Sequence, residues 1–162
     1  MSLEELFASA RARLEGVERE GLGELVQPRR VLGVQRAPRI VPRGAAWHLG
    51  VLLLADDAVL ATGDIIRARE EARRGYTAES QRQRAALMAA ARRGGFAEGA
   101  TVHLGWTVLD LAAVAAGAAS GPLALVDGVP SVRWSPRGGF APLEGYLAER
   151  VSLLTEPPPG AS

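Results

Sequence analysis

The chain contains no cysteine, so neither a disulfide nor a thiolate-held metal can staple it, and whatever fold it adopts must rest on buried apolar surface. Its 162 residues and 48% hydrophobic content are enough for that, because a chain of this size buries roughly 70% of the surface it exposes when unfolded. One α+β domain over residues 1–154, with a disordered Pro-rich tail over 155–162, is the expected organisation.

Lysine is absent too, and all 19 basic residues are arginines. Together the two absences exclude thiolate nucleophiles, iron–sulfur ligation, Schiff-base amines, Walker-type phosphate loops and serine–lysine dyads. A cation in any site must be a guanidinium, which stays charged and cannot serve as a base. Asparagine is also missing, and the joint loss is the codon bias of a GC-rich genome.

The net charge of +1 conceals a segregation along the chain. Residues 1–28 carry three arginines against six acids, residues 29–93 thirteen against six, and residues 94–162 three against six. A basic middle between acidic ends either presents an anion-binding face or is neutralised by the ends folding back. The longest weakly polar stretch, Leu111 to Val126, is broken by Gly117, Ser120, Gly121 and Pro122, short of the roughly 20 apolar residues of a membrane span. With no signal-peptide pattern, a cytoplasmic protein without a membrane partner is expected.

Ser2 and Glu5 form a capping box ahead of Leu3, Leu6, Phe7, Ala10 and Leu14 at helical spacing, predicting a helix to about residue 15. Gly16, Gly21 and Gly23 then loosen the chain. Short extended pieces follow at Val31 to Val34 and Arg39 to Val41, where Pro38 and Pro42 argue for a sheet edge. Trp47 to Leu54 reads as a buried strand that turns at Asp56-Asp57 and returns over Ala58 to Ala61. Thr62-Gly63-Asp64 predicts the cap of a helix from Ile65 to about Arg74, ended by Gly75, and Thr77 the cap of a second helix running to Gly94-Gly95.

Thr101 to Val108 alternates as a strand with one polar face. Asp110 caps a short alanine helix to Ala116, and Asp127-Gly128 joins strands Leu123 to Val126 and Val129 to Trp134 in a hairpin. Pro130 puts the second of these near an edge. Leu143, Tyr146, Leu147, Val151 and Leu154 give a final helix opened by Pro142. Hairpins with helices between them predict an α+β fold, a mostly antiparallel sheet packed with helices.

Two histidines, His48 and His103, are the only side chains whose unperturbed pKa lies near neutrality, and so the candidate acid–base residues. If the sheet brings the polar faces together, His103, Thr101, Thr107, Ser131 and Arg133 line one patch. Ligand spacing for a metal is lacking, and no cofactor motif occurs. The glycine-rich Ser135 to Phe140 segment offers amides to an anion, with Arg137 adding charge. Within the predicted helices, Arg67 faces Glu71 and Glu70 faces Arg74 at i,i+4.

Five arginines from Arg29 to Arg43, Arg39 among them, have no acid between them. The run lacks interleaved aromatics, so nucleic acid is not favoured. An interface in a homo-oligomer is an equal explanation.

The segments VPRGAAWHLGVLLL, RRGYTAESQRQRAAL, ARRGGFAEG and GPLALVDGVPSVRWSP resemble a family of small uncharacterised proteins of GC-rich bacteria, some of which carry the label glutaminase. Glutaminases use a Ser-x-x-Lys pair or a cysteine nucleophile, and with neither residue type present no catalytic position carries over. The expected function is therefore a binding or interaction module that engages an anionic small molecule or an acidic partner through arginines such as Arg39, Arg43, Arg133 and Arg137. The alternative is a small hydrolase or isomerase using His48 or His103.

Overall fold

The computed structural model describes residues 1–30, 32–34, 36–70 and 78–160. Along the chain run α1 (Leu3–Leu14), β1 (Glu20–Val26), β2 (Arg39–Leu49), β3 (Leu52–Leu54), β4 (Val59–Ala61), β5 (Asp64–Arg67), α2 (Glu79–Arg93), β6 (Thr101–Leu104), β7 (Thr107–Val108), α3 (Leu111–Ala115), β8 (Leu123–Val126), β9 (Val129–Arg133), β10 (Phe140–Pro142) and α4 (Leu143–Thr155). The fold is α+β, as the alternation of hairpins and helices predicts. Among the described residues every strand pair is antiparallel except β1 with β6.

The residues sort into two compact units, Met1–Arg19 with Trp47–Thr62 and Thr107–Ser162, and Glu20–Ala46 with Gly63–Trp106. Their sequences differ sharply in charge. The second unit holds thirteen arginines against seven acids, the first six against eleven. The basic middle of the chain thus becomes a basic unit and its flanks an acidic one.

In the acidic unit, α1 begins at the expected capping box, with Ser2 Oγ accepting from the Glu5 amide and Glu5 reaching back to the Ser2 amide. Its stripe of Leu3, Leu6, Phe7, Ala10 and Leu14 is buried in one core with α4 and the strands. The Trp47 to Leu54 run is not one strand. It folds at Gly50-Val51 so that Trp47 pairs with Leu54 and Leu49 with Leu52, because Gly50 takes φ +66°, a left-handed conformation. The expected return across Asp56-Asp57 is β4.

The Asp127-Gly128 hairpin forms as predicted, but β9 is the middle of the three strands β10-β9-β8. Pro130 is tolerated there because β10 pairs only as far as Ser131, leaving no partner to demand the missing N–H. Glu156–Gly160 beyond α4 are exposed, and the rest of the predicted tail, 161–162, lies outside the described residues.

Arg19 lies over Trp47 with its guanidinium carbon 4.0 Å from the ring centroid, and pairs with Asp56 at 2.7 Å. The hydrogen bond from Arg19 holds the Asp56 carboxyl below its ordinary value. An acid with a lowered folded-state pKa contributes stability that is complete above its unfolded value, about 4, and lost as pH falls through the folded one. Asp56→Asn is therefore expected to lower the urea midpoint slightly at neutral pH, with the deficit beginning to shrink below about pH 4 and vanishing once the folded-state carboxyl is protonated. A deficit unchanged down to pH 2 would show that the carboxylate charge is irrelevant.

In the basic unit the strands β5, β6, β1 and β2 neighbour one another in that order, but β2 is not the sheet edge that its prolines predict, because β3 follows it. Pro42 is tolerated because β3 pairs only with Trp47–Leu49, which leaves the other side of β2 open at Pro42. Ile40, Ile66, Val102 and Leu104 form the unit's core with Ala90, Ala91 and Phe96. Glu20–Val26, expected only as a loosened segment, is a strand inside the ladder. Its glycines are there for close approach: a Cβ at Gly21 would strike Phe96, and one at Gly23 would strike Ile40 and Val102.

Ile65 and Ile66 lie on a strand rather than in the predicted helix, with Ile66 opposite Val102. The pairing of two β-branched residues with β6 outweighs the helical spacing that follows them. The predicted Arg67–Glu71 and Glu70–Arg74 pairs, the Gly75 stop and the Thr77 cap fall on 71–77, outside the described residues. The second predicted helix is α2, ended at Gly94 as expected.

Candidate functional site

The arginine run lies on the β1–β2 hairpin. The two strands pair from Glu20–Ala46 out to Val26–Arg39, with an irregularity between Leu22 and Gly23 opposite Pro42 and Gly44. Between the strands, 27–30, 32–34 and 36–38 are described. Arg29, Arg30, Arg36, Arg39 and Arg43 are all exposed. Arg43 is paired with Glu24 across the hairpin, while the other four have no ion pair among the described residues. At the base of the loop, Arg93 from the last turn of α2 donates from Nε and Nη2 to the Pro38 carbonyl at 3.1 and 3.0 Å, fixing the start of β2 against the helix. Of the acids in residues 1–28, Glu24 thus neutralises Arg43.

The arginines of α2 are instead occupied. Arg82 pairs with Glu79 at 2.8 Å, Arg84 donates to the Ile65 carbonyl, and Arg92 meets Glu98 at 3.3 Å and the Phe96 carbonyl at 2.8 Å. Their positions are explained by structure within the unit.

The histidines differ from the expected polar patch. His103 is fully buried on β6, opposite Leu22 of β1 and Ile65 of β5. Glu20, two residues before Leu22, shares that face, and His103 Nε2–H donates to its Oε1 at 3.0 Å. Thr101 is half-buried, so the face predicted as polar is a buried one. The strand also stops at Leu104, because Gly105 turns with φ +67°, and Thr107 belongs to β7. Ser131 and Arg133 are on β9 of the separate three-stranded sheet, so strand pairing does not join them to His103. His48, in the acidic unit, is half-buried and donates from Nε2 to the Gly50 carbonyl at 2.8 Å.

Ser131 is buried and donates to the Val129 carbonyl. Arg133 is exposed, its guanidinium 4.8 Å from the Phe140 ring centroid. The Ser135 to Phe140 segment leads into β10, which intervenes before α4. Its Gly138 amide is taken by Ser135 Oγ at 2.7 Å, which removes a donor from the proposed anion cradle and leaves Arg137 an exposed side chain beside a closed turn.

Two residues of local importance escaped the sequence reading. Glu20 gave no signal as a histidine partner because its strand is masked by glycines. Tyr146 was legible only as a helical core position, yet its hydroxyl accepts from the Val51 amide at 2.9 Å and donates to the Leu49 carbonyl at 3.1 Å, clamping the β2–β3 turn to α4. No protein-family model matches this chain, and no curated protein or solved structure matches it significantly.

Proposed function

We propose that this protein is a binding module that engages a polyanionic partner through the arginines at the end of the β1–β2 hairpin. The observation that carries the reading is the exposure of Arg29, Arg30, Arg36 and Arg39 without a salt-bridge partner among the described residues, in a stretch from 26 to 43 that contains no acid. Guanidinium groups spread over both limbs of a ribbon suit a partner carrying many charges, since each can take a carboxylate or phosphate bidentately. A small anion engages only one or two of them at a time.

The histidine-based enzyme ranks second. The Glu20–His103 hydrogen bond favours it, because a carboxylate can orient an imidazole for proton transfer. An imidazole with no exposed surface, however, meets no substrate in this conformation.

Binding of the intact protein to poly-L-glutamate, followed by calorimetry across a salt series, tests the first reading. The wild-type protein is expected to bind, more weakly as salt rises. The variant Arg29→Gln/Arg30→Gln/Arg36→Gln/Arg39→Gln is expected to lose at least tenfold in affinity with an unchanged circular dichroism spectrum, because exposed charges contribute little to the fold. Equal affinity of the two proteins, or no binding by the wild type at low salt, would overturn it.

A further inference from the structure

The end of the hairpin is apolar as well as basic. Leu32 is 98% exposed and Val34 66% exposed, two aliphatic side chains within three residues at the apex. Single exposed apolar residues are ordinary. Here the order along the chain is specific: Arg29 and Arg30, then the apex, then Arg36 and Arg39, with no acid from 26 to 43.

That order matches the depth profile of an anionic bilayer interface. Phosphates lie at the level where guanidinium groups would sit, and the acyl boundary lies several ångströms further in. An acidic protein would need an apolar recess with carboxylates on both sides of it, whereas a bilayer supplies this layering everywhere on its surface. A contact of this kind also needs no spanning segment. Weak membrane anchors become stable when two signals combine, an apolar insertion and a basic patch, and the hairpin end carries both.

We propose that the hairpin end docks on anionic lipid bilayers, with Leu32 and Val34 entering the interface while Arg29, Arg30, Arg36 and Arg39 contact lipid phosphates. The inference rests on the polyanion reading of the same arginines and names the partner that reading leaves open.

The test is co-sedimentation of the intact chain with vesicles of phosphatidylcholine alone and of equal parts phosphatidylcholine and phosphatidylserine, beside the poly-L-glutamate titration. Binding is expected to the mixed vesicles and not to the neutral ones. Replacing Leu32 and Val34 by serine is expected to cut vesicle partition about tenfold or more and to leave poly-L-glutamate affinity unchanged. Each arginine removed should weaken partition about fivefold. Because the chain has no cysteine, Leu32→Cys accepts a single polarity-sensitive dye, whose emission should shift to the blue on the mixed vesicles, whereas the same dye on Ala118→Cys should not.

A protein that binds poly-L-glutamate but not the mixed vesicles would overturn the lipid proposal, point to an acidic protein partner and leave the polyanion reading standing. Failure on both probes would overturn both. Vesicle binding that survives the serine replacements, or a bound Leu32→Cys dye that does not shift, would also overturn insertion of the apex.

Discussion

Gly94→Ala is expected to destabilise the protein by more than about 4 kcal/mol, a loss reserved for backbone or core disruption. Gly94 closes α2 with φ −78° and ψ −8°, a conformation open to any residue, so its requirement for glycine is purely steric. A Cβ there would overlap the carbonyl group of Ile40. The helix end therefore lies directly against the β2 backbone, and a methyl group would have to push them apart. The separation would open the core that Ala90 and Ala91 form with Ile40, and would strain the Arg93 contact with Pro38.

Gly95 provides the control. It has φ +112° and open space where a Cβ would stand, so Gly95→Ala should cost only about 1 kcal/mol, the backbone penalty alone. Urea unfolding of both variants separates the two causes. Equal midpoints would mean that α2 and β2 do not touch at Gly94.

The second large effect is expected at Gly50. Gly50→Ala combines a left-handed φ of +66° with a Cβ that would strike the Tyr146 hydroxyl and the Arg150 guanidinium. The backbone term is about 1 kcal/mol. Displacing Tyr146 also breaks its two hydrogen bonds to the turn, each worth about 1 kcal/mol, for a total of roughly 3 kcal/mol. Tyr146→Phe keeps the ring and removes the hydroxyl, and should cost about 2 kcal/mol by itself. In the double variant the costs should fall short of their sum, because both act on the same contact. Additive costs would disconnect Gly50 from Tyr146.

The elements that announced themselves in the sequence are those whose signals are local. The Ser2/Glu5 box, the Asp110 cap and the Asp127-Gly128 turn each need only a few neighbouring residues, and each forms as read. What escaped depends on partners distant in sequence. Gly21 and Gly23 look like breakers until Phe96 and Val102 are placed beside them. Ile65 and Ile66 look helical until β6 offers a ladder some forty residues later.

The same division holds for the site. The acid-free arginine run could be read directly, since burying so many unpaired cations is prohibitive. The burial of His103 could not, because alternation gives the facing of a side chain but not what lies on that side.

The acidic unit joins α1 to α4 in one core, although more than a hundred residues separate the two helices. During synthesis at a few to twenty residues per second, the apolar stripe of α1 thus waits on the order of ten seconds or more for the α4 part of the surface that will cover it. Folding on the ribosome would be paced by translation of α4, and a stall between β9 and α4 would release a chain whose basic unit is complete while its acidic unit is still open to aggregation.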